Sequence, residues 1–135
     1  MEETDKAYVA GIIDGEGSIW MNKQVRGYGL ILTVNMTSKK TVNHLAKLWN
    51  TKLHTRGIPK GGRKPIWTVR LSGSQTKELL LQVLPYLIDK RLRAELALEF
   101  PIYIQHAGKQ RNDDDDFIRD TIYHRISYLN KYGEL

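Results

Sequence analysis

Apolar positions recur with two different periods along this chain of 135 residues, and the switches between periods delimit its elements. Over residues 4–15, Tyr8, Val9, Ile12 and Ile13 recur at helical spacing behind a Thr or Asp able to cap the first turn. Ala7, Gly11 and Gly15 fall at i, i+4 and i+8 of the same helix with Ala10 beside them, so one stripe carries almost no side chain. Gly11 alone costs about 1 kcal/mol against Ala in a helix interior. That cost predicts a close approach by something else. Over 18–24 and 29–37 the period changes to two, with Tyr28 and Gly29 near the turn of an expected hairpin. In the second strand Leu30, Leu32, Val34 and Met36 alternate with Ile31, Thr33, Asn35 and Thr37, giving one apolar and one mostly hydrogen-bonding face. In the first, Trp20, Asn22 and Gln24 lie opposite Ile19 and Met21.

Ser38 or Thr41 opens an expected helix to about residue 50, with Val42, Leu45, Leu48 and Trp49 on its buried side. Two further strands are expected at 53–56 and 66–71, joined by a turn-rich basic loop containing Lys60, Arg63 and Lys64. Ser74 caps a helix that Pro85 interrupts, another helix covers 90–100, and a polar stretch at 106–113 leads to a last helix over 116–132. The order predicts one α+β domain over 1–135, an αββαββα core with a helical extension from about 106 to 135. Its four-stranded antiparallel sheet is covered by helices on one face and open on the other. The open face is expected to carry Trp20, Asn22, Gln24, Arg26, Thr33, Asn35, Arg56, Thr68 and Arg70. The consecutive aspartates Asp113, Asp114, Asp115 and Asp116 read as a solvated cap favoured by the dipole of the last helix.

Charge sharpens this picture. Lys and Arg number 21 against 15 Asp and Glu, a net +6, and 21 bases against the 11 acids outside the aspartate run leave +10 on the rest of the chain. Such an excess points to nucleic acid or another polyanion as partner. The absence of cysteine excludes a disulfide framework, a thiolate zinc site and a Cys nucleophile. His44, His54, His106 and His124 show no metal-ligand spacing. No apolar run approaches the ~20 residues that span a bilayer, and Glu2, Glu3 and Asp5 are unlike a basic targeting segment. The expectation is an intracellular protein without membrane association.

The stretch Val9-Ala10-Gly11-Ile12-Ile13-Asp14-Gly15-Glu16-Gly17 closely resembles the nine-residue signature of the LAGLIDADG homing endonucleases. It matches identically at Ala10, Gly11, Ile13, Asp14 and Gly17 and conservatively at Val9, Ile12 and Glu16, with Gly15 in place of Ala. The motif helix then spans 4–17, and the ββαββα order that follows fits the family plan to about residue 104. A single motif implies a homodimer that cuts both strands of a long pseudo-palindromic DNA site and packs on Ala7, Ala10, Gly11 and Asp14. By resemblance Glu16 is the catalytic acid, binding a divalent ion with the carbonyl of Gly15. Mg²⁺ or Mn²⁺ would support cleavage, and Ca²⁺ would bind without supporting it.

The segment Leu84-Pro85-Tyr86-Leu87-Ile88-Asp89-Lys90 resembles the family stretch whose lysine stabilises phosphate charge, so Lys90 takes that role. Ser38 matches a polar position that orders water at the scissile phosphate. A base usual one turn later is replaced by Val42, with Lys39 or Lys40 as stand-ins. Half-site reading in the major groove is expected from Ser18, Trp20, Asn22, Gln24, Arg26, Ile31, Thr33, Asn35, Thr37, Thr68 and Arg70, with Lys39, Arg56, Lys60, Arg63 and Lys64 around them. The resemblance implies a site-specific double-strand DNA endonuclease of the intron-encoded kind, residing in cytoplasm or nucleoid of a prokaryote or in a eukaryotic organelle. Two alternatives share the fold: a maturase binding intron RNA, and a non-catalytic DNA-binding regulator.

Overall fold

The computed structural model describes residues 1–25, 27–55, 57, 60–102 and 113–134. Helix α1 (Glu3–Glu16) buries Val9, Ala10 and Ile13 while Ala7, Tyr8, Gly11 and Gly15 stay exposed, so one face enters the core and the other is bare. Strands β1 (Gly17–Gln24) and β2 (Gly27–Met36) form the hairpin, in a register that sets Gly17 opposite Val34 and Trp20 opposite Ile31. Helix α2 (Lys39–Leu48) starts at Ser38, whose Oγ accepts the Thr41 N–H at 3.3 Å. The short strand β3 (Leu53–Thr55) and β4 (Trp67–Ser72) complete an antiparallel sheet of order β1-β2-β4-β3. Helix α3 (Ser74–Val83), a 3-10 turn at Leu84–Tyr86, α4 (Arg91–Leu98) and α5 (Asp113–Tyr132) follow.

The α+β layering is as the periodicity predicts, with differences at element ends. Tyr28 and Gly29 lie inside β2 rather than at the turn, because the ladder continues to Gln24 opposite Gly27. A Cβ on Gly29 would fall 2.4 Å from Asn22 Oδ1, so glycine there leaves room for the Asn22 amide to lie across the neighbouring strand. Tyr8, at a helical apolar position, is 45% exposed on the bare face of α1. The four aspartates form the first turn of α5 itself, where their charge meets the positive end of the helix. The sites expected at Arg26 and Arg56, and the polar stretch 106–112, lie outside the described residues.

One hydrophobic cluster joins the layers, with Val9 and Ile13 from α1, Ile19, Leu30, Leu32, Val34 and Val69 from the sheet, Leu45 and Leu80 from helices α2 and α3, and Phe100 just past α4. α5 belongs to it through Ile122, Ile126 and Leu129. The helix lies along the edge strand β1, where Asn130 Nδ2 donates to the carbonyl of Ile19 at 2.9 Å. Tyr28 stacks on Tyr123 at 4.5 Å and donates to Asp120 Oδ1 at 2.7 Å. Arg119, almost fully buried, donates through Nε to the carbonyl of Pro101 at 2.8 Å and pairs with Asp116 at 3.2 Å.

These contacts make α5 part of the core rather than an appendage. Ile126→Ala is expected to lower unfolding free energy by about 3 kcal/mol, the usual cost of a cavity. Phe117→Ala on the outer face of the same helix, where the ring is 74% exposed, should stay within about 0.5 kcal/mol. Urea unfolding of the two variants measures the contrast.

Candidate active site and nucleic-acid interface

The chain leaves α1 abruptly. Gly17 is extended (φ −84°, ψ 159°) and donates its N–H to Ile13 O. A Cβ there would lie 2.8 Å from the Ile13 backbone, so a glycine is required for β1 to start so close to the helix end. The turn just before this exit is tied to a segment more than seventy residues away. Asp14 Oδ2 accepts the N–H of Ile88 and Oδ1 that of Lys90, both at 2.9 Å, and Lys90 Nζ donates back to the Asp14 carbonyl at 2.6 Å. Lys90 thereby satisfies an end-of-helix carbonyl at the negative pole of α1. Its side chain is 15% exposed, and Asp89 Oδ2 lies 3.8 Å from its Nζ.

Glu16 is exposed at the end of α1 and makes no hydrogen bond or ion pair among the described residues. The Asp14 carboxylate is already engaged by two amides, so Glu16 is the acid this helix end has to spare. No group of three or more His, Cys, Asp or Glu side chains that could hold a metal occurs among the described residues.

At its other end α1 is held by the Tyr86 hydroxyl, which donates to Glu3. That bond, and then Lys6, hold the Glu3 carboxyl below its ordinary value, while the same bond pushes the Tyr86 phenol up. The tie therefore supports the fold above the ordinary carboxylate range and weakens as pH falls through the depressed Glu3 value. On the alkaline side it is lost as pH rises through the raised Tyr86 value.

Beyond Gly17 the open sheet face forms one wall of a cleft of about 670 Å³, lined by Ser18, Trp20, Thr33, Asn35, Thr68 and Arg70. The other wall is Asp89, Lys90, Arg93 and Asn130. Side chains on the sheet wall hold one another. Trp20 Nε1 donates to Thr33 Oγ1 at 3.4 Å, Arg70 lies 5.6 Å from the Trp20 ring, and Thr68 Oγ1 donates to Asn35 Oδ1 at 2.6 Å. Cross-strand register sets Asn35 opposite Thr68 and Thr33 opposite Arg70, while Trp20, opposite Ile31, reaches Thr33 on the diagonal. Asn22 and Gln24 continue the face along β1, and Lys39 Nζ stands 4.6 Å over the Trp67 ring. Thr37, Lys60, Arg63 and Lys64 are exposed outside the strands.

Several of the predicted site residues sit in surroundings that the sequence did not indicate. Ile31 sits on the open face by register, yet at 2% exposure on the inner strand β2 it has no surface to offer a base. Ala10 is fully buried in the chain's own core and cannot line an interface there, because it turns with Val9 and Ile13 toward the sheet. The bare stripe is Ala7, Tyr8, Gly11 and Gly15 instead. Asp14 serves the chain internally as the acceptor for Ile88 and Lys90. Ser38 does not line the cleft; its hydroxyl caps α2 and donates to Thr41 Oγ1 at 2.9 Å. Val42 is fully buried, so no base could stand at that position without leaving the core. Sequence reasoning missed Arg93 and Asn130. Arg93 follows Lys90 by one helical turn and could have been found by that spacing; Asn130 carries no local signal.

Comparison of the sequence with protein-family models and with curated proteins gives no match. Solved structures do match. The homing endonuclease I-CvuI, in complex with its target in the presence of Ca, superposes with a TM-score of 0.68 at 19% identity, covering 93% of this chain and 82% of that one. I-CvuI with the I-CreI target in the presence of Mg, its DNA not cleaved, gives 0.62 at 18% identity over 98% and 97% of the two chains. The archaeal intron-encoded homing endonuclease I-Vdi141I complexed with DNA gives 0.70 at 11% identity over 99% and 89%. The chain therefore has the fold of the LAGLIDADG homing endonucleases, the one its nonapeptide implies.

The tie between α1 and segment 84–90 has a measurable worth. Asp14→Ala leaves two amides at the start of α4 without their acceptor and should cost about 1–2 kcal/mol in urea unfolding.

Proposed function

We propose that the protein is a site-specific DNA endonuclease that acts as a homodimer on a long pseudo-palindromic site by divalent-metal-dependent phosphodiester hydrolysis. The observation that carries this reading is the placement of an uncommitted carboxylate, Glu16, at the end of the motif helix, beside a lysine fixed at the edge of an open polar sheet. Neighbours of this fold are described in complex with DNA, and the basic excess of the chain suits the same partner.

The donor set fits Mg²⁺ or Mn²⁺ rather than an all-protein metal cage. One free carboxylate and the exposed Gly15 backbone offer hard oxygen, and Mg²⁺ is commonly held by one or two carboxylates with water and substrate phosphate completing its shell. Such an ion would supply an activated water and charge stabilisation at the scissile phosphate. Glu16, with the Gly15 carbonyl, is the group that would hold it. Lys90 supplies fixed positive charge at the phosphate. Trp20, Thr33, Asn35, Thr68 and Arg70 read base edges, and Lys39, Lys60, Arg63 and Lys64 bind the backbone. Ser38, whose hydroxyl also caps α2, is the polar group that would order water at the scissile phosphate.

The dimer follows from the bare stripe of α1. Cβ atoms built on Gly11 and Gly15 meet nothing within 4 Å in a single chain, so their absence serves no packing inside it. Two copies of α1 packed on this stripe would bring two Glu16 side chains to one duplex. Gly11→Leu is expected to fold as well as the parent protein and to sediment as a monomer.

Cleavage is tested by selection on randomised palindromic duplexes with Mg²⁺. Recovery of one long cut sequence is expected, and Glu16→Gln should bind it unchanged while cutting about a thousandfold more slowly or worse, a loss of several kcal/mol at the transition state. Full activity in Glu16→Gln would sink the mechanism. Salt-sensitive binding without cutting would favour a regulator, and stronger binding to intron RNA than to duplex a maturase.

A further inference from the structure

Arg93 stands in the first turn of α4, three residues after Lys90, and lines the same cleft. It is 9% exposed, and all its hydrogen-bond partners are neutral. Nε donates to Asn130 Oδ1 at 3.0 Å, Nη2 to the Leu129 carbonyl at 2.8 Å, and Nη1 to the Asp89 carbonyl at 3.4 Å. The Asp89 carboxylate lies nearer Lys90 instead, and no ion pair forms at Arg93 among the described residues. A buried charge without a countercharge is unfavourable, and the positive end of α4 adds to the cost. These bonds do not by themselves call for the charge, since a neutral N–H donates to a carbonyl as well as a charged one does. Two of the five guanidinium N–H groups remain beyond the three named bonds. An anion in the cleft would compensate both the charge and the spare donors.

We propose that Arg93 is a phosphate-binding residue of this cleft, taking a backbone phosphodiester of the bound nucleic acid, with Asn130 as its positioning residue. The inference rests on the nucleic-acid reading above but not on cleavage. Asn130 is suited to its part because both ends of its amide are fixed: Oδ1 accepts from Arg93 while Nδ2 donates to the Ile19 carbonyl on β1. The guanidinium is thus held against both the sheet and α5, with its charge uncancelled. A carboxylate at position 130 would have neutralised it but could not donate to the Ile19 carbonyl.

The test measures binding of the full chain to a random-sequence duplex pool, without divalent ion, across a salt series. Arg93→Gln is expected to weaken binding about tenfold and to reduce the slope of log affinity against log salt by about 0.9 per bound subunit. Arg93→Lys should restore most of both. The melting temperature of Arg93→Gln should stay close to that of the parent protein, because the relief of a buried charge offsets the hydrogen bonds lost to Asn130 and Leu129. A folded Arg93→Gln with parental slope and affinity would overturn the proposal, as would a lowered melting temperature with binding intact, which marks a purely structural group.

Should Arg93→Gln fail to fold, the Arg93 Nε–H resonance of the parent protein, assigned by its loss in Arg93→Lys, is followed on adding duplex. Movement supports phosphate contact and a static resonance refutes it. Parent protein that binds no duplex overturns this proposal and the nucleic-acid reading together. Parent protein that binds but never cuts overturns only the endonuclease reading.

Discussion

The site depends on the bridge between Asp14 and the backbone of residues 88–90. The negative end of α1 is brought against the positive end of α4, and the two poles are crossed by complementary groups. A carboxylate from α1 accepts the Ile88 and Lys90 amides just before α4, and the Lys90 ammonium returns a bond to an α1 carbonyl. Each charge sits where the opposing helix dipole favours it. Because Asp14 and Lys90 are used on each other, Glu16 two residues later is left unengaged at a defined place beside a fixed cation. Glycine at position 17 completes the arrangement by letting β1 begin at once, which puts the sheet face directly beyond the acid.

α1 serves two surfaces with one helix. Val9, Ala10 and Ile13 fill the core, and the opposite stripe is stripped to Ala and Gly at a cost in helix stability that no contact among the described residues repays. The sheet behaves similarly. One face is closed by the helices, while on the other Trp20, Thr33, Asn35, Thr68 and Arg70 hold one another in place. Such mutual support fixes rotamers before any partner arrives, and less side-chain entropy is then lost on contact. The loop bases Lys60, Arg63 and Lys64 have no such support among the described residues and suit a contact that needs charge rather than geometry. α5 stiffens the arrangement from outside, joining β1 through Asn130 and α4 through Arg93.

What was legible in the sequence is local. Alternation of Leu30, Leu32, Val34 and Met36 against Thr33 and Asn35 maps directly onto the two faces of β2, because a strand turns its side chains by half a revolution per residue. The stripe of Ala7, Gly11 and Gly15, the nonapeptide ending at Gly17 and the neighbourhood of Lys90 all lie within short windows, and the structure returns the fold they imply. The α+β order, the Ser38 cap and the open polar face were readable for the same reason.

The tertiary structure alone decided the rest. Ile31 shares the face of Thr33 and Asn35 but lies on an inner strand, where neighbours on both sides remove its surface. Ala10 belongs by composition to the small-residue stripe, and only the rotation of α1 on the sheet turns it inward. The hairpin closes after Gln24 because β1 and β2 continue pairing past Gly29, a choice settled by cross-strand fit. Arg93 and Asn130 are 37 residues apart and meet only because α5 returns along β1 and α4. Period and motif are properties of neighbouring residues, so the sequence by itself determined the elements and the position of Glu16 at the end of α1. Burial, charge compensation and register depend on segments distant along the chain, so only packing could decide which of those residues stay available to a partner.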